Sequence, residues 1–126
     1  MSLIDRMSVG IDVQEVSAFE DWELPEQRGL LERVFTAAER AWCLSMPHPA
    51  QHLAARFAAK EALIKALAPF EPASFEEIEI ERGEDGRPSA RLTIAAARSY
   101  AVRLSLSHSD SQAVAVALLE RIPDGE

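Results

Sequence analysis

Between Ala50 and Leu67 the chain carries no glycine and no proline, is rich in alanine and leucine, and is stopped by Pro69. Proline lacks the amide hydrogen that a helix interior needs and clashes with the preceding turn, so this run reads as one long helix that ends before Pro69. At about 100° per residue, Leu53, Phe57, Ile64 and Leu67 fall on one apolar stripe. Ala54, Ala55, Ala58, Ala59, Ala62 and Ala66 lie opposite, where small side chains allow another element or subunit to approach closely. Plain helix propensity accounts for them equally well. The stripe holds one anomaly: Lys60 falls inside it and Glu61 on its border. Lys60 and Lys65 are the only lysines in the sequence. An unpaired buried charge costs several kcal/mol, so such a lysine pairs with a carboxylate, accompanies a metal or meets a charged ligand. The alternative is a lysine that snorkels to water beside a surface pair of Glu61 with Lys65.

Shorter elements surround this helix. Val9, Ile11 and Val13 alternate with Gly10, Asp12 and Gln14, which predicts a strand near 8–16. Pro25 opens a helix through Leu30, Leu31 and Val34, and Thr36-Ala37-Ala38-Glu39 has the spacing of a capping box for another. Ile78 and Ile80 alternate with glutamates, Gly83 to Pro88 supply a turn, and Leu92 and Ile94 resume the alternation, as in a hairpin. Val102, Leu104 and Leu106, the polar turn His108-Ser109-Asp110-Ser111 and the apolar run Ala113 to Leu119 predict a second hairpin. The tail from Pro123 to Glu126 reads as frayed. The class is α+β: a small antiparallel or mixed sheet packed with one long helix and two or more short ones. With 126 residues the expectation is a single domain, 1–126.

Function classes narrow by exclusion. A net charge of −8 argues against nucleic acid or an anionic membrane as partner. No apolar run approaches the roughly 20 residues that span a bilayer, and the N-terminus lacks the pattern of a secretory signal, so a cytoplasmic protein is expected. Cys43 is the sole cysteine, which excludes an intramolecular disulfide and a multi-cysteine zinc site.

Asp12 is the second anomaly. Aspartate is depleted in strands, yet this one sits between Ile11 and Val13 directly after Gly10. Either it faces solvent on an edge strand or it serves a ligand. Carboxylates at Asp12 and Glu61 would together make a hard, all-oxygen set suited to magnesium, which takes one or two protein carboxylates and completes its shell with water and phosphate. Two other patterns fail. Ser107 and His108 are neighbours in a strand and point to opposite faces, so His108 cannot serve Ser107 as a base. His48 and His52 have helical metal-ligand spacing, but no glutamate follows His48 and the helix only begins at Pro49.

Three blocks of the sequence then come together: Gly10-Ile11-Asp12-Val13-Gln14-Glu15-Val16, the run from Leu53 through Arg56, Lys60, Glu61 and Lys65 to Leu67, and Leu104-Ser105-Leu106-Ser107-His108-Ser109. In that order the chain resembles the holo-[acyl-carrier-protein] synthases, the small trimeric type of 4'-phosphopantetheinyl transferase. Phe35-Thr36 to Glu39 and Gly86-Arg87-Pro88 extend the likeness over nearly the whole chain. The resemblance implies the 4'-phosphopantetheinyl transferase fold and a homotrimer with active sites between subunits. It implies transfer of the 4'-phosphopantetheine group of coenzyme A to a serine of an apo acyl carrier protein or related carrier, with release of 3',5'-ADP. Magnesium would be held by Asp12 and Glu61. Lys65, Arg56 and His108 would face the coenzyme A phosphates, Lys60 would belong to the same coenzyme-binding set, and Arg87 and Pro88 would lie near the adenine. Glu61, Lys65 and Asp12 would form the catalytic set, Glu61 taking the serine proton. Fatty acid biosynthesis is the expected setting.

The chain departs from the family in places. Where its members carry an arginine that contacts the carrier this chain has Ala18, and Pro47-His48-Pro49 replaces basic residues before the middle block. An acidic enzyme also repels an acidic carrier unless a local patch around Arg28, Arg33, Arg40 and Arg56 dominates within the Debye length of about 8 Å. A second reading therefore stands beside the first: a catalytically idle homologue that binds coenzyme A or a carrier.

Overall fold

The computed structural model describes residues 2–123, so the frayed-tail expectation for 124–126 lies outside the described residues. In chain order it contains α1 (Leu3–Arg6), β1 (Met7–Glu15), α2 (Arg28–Val34), α3 (Ala37–Leu44), α4 (Pro49–Leu67), β2 (Ile78–Arg82), β3 (Pro88–Leu92), β4 (Tyr100–His108) and β5 (Gln112–Arg121). Single 3-10 turns occur at Val16–Phe19, Pro25–Gln27, Phe75–Glu77 and Ala97–Ser99. The α+β expectation holds. Both hairpins form, and every strand pairing is antiparallel. The strands divide into a three-stranded sheet of order β1-β5-β4 and a separate β2-β3 ribbon.

Helix α4 is the centre of the molecule. Its alanine face lies on the sheet, where β5 presents Ala113, Ala115 and Ala117, each fully buried. Small residues on both sides let helix and sheet approach closely, and Gly10 marks the tightest point. A Cβ built on Gly10 would sit 1.8 Å from the Ala62 carbonyl oxygen, so no other residue fits without moving the backbone. The opposite face of α4 is buried as well. Its first half packs with Val16, Phe19, Leu31, Val34 and Phe35, and its second half with Ile78, Ile80 and Ile94. Fully burying a side chain of this size stabilises the fold by roughly 1.5–3 kcal/mol, so two buried faces make α4 the main anchor of the core.

Helix α3 begins as the sequence predicts. The Thr36 amide donates to Glu39 Oε1 at 2.8 Å and the Glu39 amide donates to Thr36 Oγ1 at 3.3 Å, closing the capping box. The same carboxylate reaches further: Glu39 Oε2 accepts from the Ile80 amide at 2.7 Å and so fastens β2 to α3. None of the described helices is long and apolar enough to cross a membrane.

Candidate active site

Where β1 crosses α4, the tight Gly10–Ala62 contact brings the strand's helix-facing side chains onto the helix. Asp12 is one of them, its side chain only 11% exposed. Asp12 Oδ1 accepts from Lys65 Nζ at 3.1 Å and Oδ2 accepts from Gln14 Nε2 at 2.7 Å. Lys65 also donates to the Ile11 carbonyl at 3.0 Å. Glu61 stands one helical turn before Lys65 on the same side of α4, half-buried. The crossing thus gathers two carboxylates and an ammonium on one side of the long helix. Chemically it sets carboxylate oxygens beside a half-exposed ammonium.

A second cluster lies on the other side of α4. The sheet register sets Gln14, Ala113 and His108 in one row across β1, β5 and β4, all on the helix-facing side. His108 therefore emerges at the β4 edge while Asp12 emerges at the β1 edge, two strand spacings of about 4.8 Å apart in that direction. Ser107 is on the outer face, as strand alternation requires. The His108 ring meets that of His52 at 5.7 Å between centroids, and His52 meets Trp42 at 6.5 Å. Arg56, one turn after His52, is only 8% exposed and lies 5.5 Å from the centre of the Trp42 ring. These side chains, with Arg82 and Pro88, line a cavity of about 230 Å³. A neighbouring cavity of about 490 Å³ shares Trp42, Arg56 and Arg82. Burial presses the Arg56 guanidinium below its ordinary range, with the neighbouring Cys43 and Glu39 opposing. Burial likewise pushes the Cys43 thiol up to about 11, leaving it a neutral packing group.

The sequence-predicted residues therefore fall into two groups. Asp12, Glu61 and Lys65 meet at the β1 side of α4; Arg56, His108 and Pro88 meet at the β4 side. Arg56 and Lys65 are nine residues apart, which at about 100° per residue places them on opposite sides of the helix. Arg87 is exposed, 3.7 Å from Asp85, and borders the next groove along with Pro88.

The expectation that Lys60 binds coenzyme A is corrected by its surroundings. Lys60 is 0% exposed. Its ammonium pairs with Glu39 Oε1 at 2.6 Å and donates to the Val34 and Phe75 carbonyls at 2.6 and 3.0 Å. Three donors meet three acceptors, so none is left for a ligand. Burial pushes this ammonium below the ordinary lysine range, and the Glu39 hydrogen bond and charge oppose that shift. The charge in the apolar stripe is a buried structural pair.

Sequence reasoning passed over Trp42 and Arg82, and weighed His52 only as a metal ligand beside His48. Arg82 did carry a signal: it continues the alternation of Ile78 and Ile80, both buried, and so shares their side of β2, though at the strand end it is exposed.

Known proteins agree with this architecture. Residues 8–117 match the family model described as the 4'-phosphopantetheinyl transferase superfamily. The holo-[acyl-carrier-protein] synthase of Moorella thermoacetica is 45% identical over 121 residues, spanning 90% of this chain and 94% of that protein. That of Geotalea daltonii is 38% identical over 120 residues, spanning 89% and 96%. Among solved structures, the ACPS–CoA complex from Chronobacterium ammoniagenes superposes with a TM-score of 0.77 at 30% identity, covering 93% of this chain and 98% of that one. The Bacillus anthracis holo-(acyl-carrier-protein) synthase in complex with CoA (3',5'-ADP) gives 0.75 at 31% identity, covering 90% and 96%. By sequence and by fold, this chain belongs to the 4'-phosphopantetheinyl transferase superfamily, among the holo-[acyl-carrier-protein] synthases.

Proposed function

We propose that this protein transfers the 4'-phosphopantetheine group of coenzyme A to a serine of an apo acyl carrier protein, releasing 3',5'-ADP. The observation that carries the reading is the grouping of Asp12, Glu61 and Lys65 at the β1–α4 crossing, in a chain whose relatives are named for this reaction. The donor set fits magnesium. Asp12 is a shielded carboxylate that already holds a cationic group, and Glu61 adds a second hard oxygen ligand beside it. Bound there, the ion would neutralise charge on the pyrophosphate. Lys65 is half-exposed and free to turn from Asp12 to the transferred phosphoryl group. Glu61 accepts the proton of the carrier serine, whose oxygen attacks the pantetheine-side phosphorus. The bond from that phosphorus to the bridging oxygen breaks, and 3',5'-ADP leaves with the bonding pair.

The assembly we propose is a homotrimer. The outer face of the three-stranded sheet carries the cross-strand pairs Val9 with Leu118, Ile11 with Val116 and Val13 with Val114. Val9, Ile11 and Val13 are 64%, 58% and 54% exposed. An apolar sheet face of this kind calls for a covering partner. A second copy also resolves the division of the site, since the two clusters on one protomer are separated by α4 itself. One subunit's β1 side can then meet another's β4 side around a single coenzyme A.

The test is release of 3',5'-ADP during transfer to an apo carrier, measured for the wild type and for Glu61→Gln. The substitution keeps shape and removes the base and ligand charge, so release falls by at least about a hundredfold, with the unfolding temperature unchanged. Near-normal release from Glu61→Gln would overturn the assignment of that role.

A further inference from the structure

Gln14 follows Asp12 by two residues on β1, so strand alternation sets both side chains on the side of the sheet that faces α4. Both are half-buried, while Ile11, Val13 and Glu15 on the other face are exposed. Across the sheet, Asp12 lies opposite Ala115 and Gln14 opposite Ala113, each fully buried and without a polar side chain. The neighbouring strand therefore offers the Asp12 carboxylate no side-chain donor, and its two hydrogen bonds come from elsewhere. Lys65 Nζ donates to Oδ1 at 3.1 Å and Gln14 Nε2 to Oδ2 at 2.7 Å. The two donors differ in kind. The Lys65 side chain is 50% exposed, and an ion pair so open to water is worth only about 0–1 kcal/mol and exchanges readily. Gln14 is neutral, makes the shorter bond, and sits on the same strand as its acceptor, which is paired with β5 from Met7 to Glu15.

We infer that Gln14 is a positioning residue which, by holding Asp12 Oδ2, leaves Oδ1 as the one oxygen this carboxylate offers to a cation, and so sets a preference for magnesium over calcium. On the transferase reading, on which this rests, the cation is the magnesium assigned to Asp12 and Glu61. Magnesium demands near-ideal octahedral geometry and is held by one or two carboxylates, with water and phosphate completing its shell. Calcium takes six to eight oxygens and readily uses both oxygens of one carboxylate. A carboxylate whose second oxygen is already engaged suits the smaller ion and withholds a ligand from the larger. The amide also fixes the plane of the carboxylate without adding charge, so an incoming cation displaces Lys65 from Oδ1 and has no reason to displace Gln14 from Oδ2. Hydrogen-bonding partners of this kind are typically worth about 10–100-fold in metal affinity.

Thermal unfolding of the full chain with saturating coenzyme A, titrated separately with magnesium chloride and calcium chloride, gives an apparent affinity for each cation. Two variants are compared with the wild type. Gln14→Met keeps the length of the side chain and removes the donor; Gln14→Glu keeps its shape and puts an acceptor where the donor was. Gln14 is only half-buried, so both keep the fold. In Gln14→Met the magnesium affinity should fall about tenfold while the calcium affinity holds within about twofold, so that the preference for magnesium shrinks by about tenfold. Gln14→Glu adds oxygen ligands and charge, and should bind calcium more tightly than the wild type does. Equal weakening of both cations in Gln14→Met, as a merely structural role would produce, or an unchanged preference would overturn the role of Gln14 and leave the transferase reading standing. A wild type that coenzyme A does not stabilise with either cation would overturn the transferase reading, and this inference with it.

Discussion

Lys60 and Glu39 form an ion pair at 2.6 Å from which water is wholly excluded, and between them they tie five segments together. Lys60 on α4 holds the carbonyls of Val34 and Phe75; Glu39 at the start of α3 holds the amides of Thr36 and Ile80. Removing one partner leaves the other buried and uncompensated. Lys60→Met and Glu39→Gln should each lower the unfolding free energy by about 3–5 kcal/mol, read from urea denaturation. The double variant should lose less than the sum of the two. A loss below about 1 kcal/mol for either single variant would show that the pair is not buried as described.

The approach of β1 to α4 gives a second prediction. Gly10→Ala places a methyl group on the Ala62 carbonyl oxygen, and backbone on both sides must move to admit it. The expected cost is about 3 kcal/mol or more, and on the proposed transferase reading weaker binding of coenzyme A should accompany it because Asp12 is two residues along the same strand. A variant as stable as the wild type would contradict the packing of strand on helix.

Tyr100 links stability to alkaline pH. Burial, then the 2.6 Å hydrogen bond to Glu71 and the charge of that carboxylate, raise its phenol from 10.0 to about 12. A folded-state pKa above the unfolded one means that the native state keeps the proton longer. The contribution is therefore complete below about pH 10 and is lost as pH rises towards about 12. Tyr100→Phe should flatten the fall in unfolding temperature across this window relative to the wild type, and identical slopes would rule the linkage out.

The outer sheet face supplies a prediction about assembly. Ile11→Asp puts a charge in the middle of the exposed apolar row without touching the core, because Ile11 points away from α4. Sedimentation analysis should find the wild type as a trimer and the variant as a folded monomer without transferase activity. A monomeric wild type with full activity would refute the shared-site arrangement.

Much of the fold was legible along the chain because its determinants are local. The Thr36–Glu39 spacing marked the start of α3, Pro49 and Pro69 bracketed α4, and alternation located both hairpins. What was hidden is tertiary. Lys60 declared itself as a charge in an apolar stripe, but its partner Glu39 is 21 residues away and looked committed to a capping box. Nothing local says that the second oxygen of that carboxylate reaches Ile80. Asp12 and Lys65 came to notice separately, and only the glycine-mediated approach of β1 to α4 brings them within 3.1 Å. Arg82, His52 and Trp42 belong to three elements that meet only in the folded chain, so their convergence has no period or spacing to reveal it.

The central claim is the transfer reaction. Intact-mass spectrometry of an apo acyl carrier protein incubated with this protein, coenzyme A and magnesium tests it directly, beside an Asp12→Ala control. The transferase reading predicts that the carrier gains the mass of one phosphopantetheine group, that the gain requires magnesium, and that Asp12→Ala abolishes it. A panel of apo carriers that all keep their original mass, while the protein demonstrably binds coenzyme A, would contradict it and leave a coenzyme A-binding module in its place.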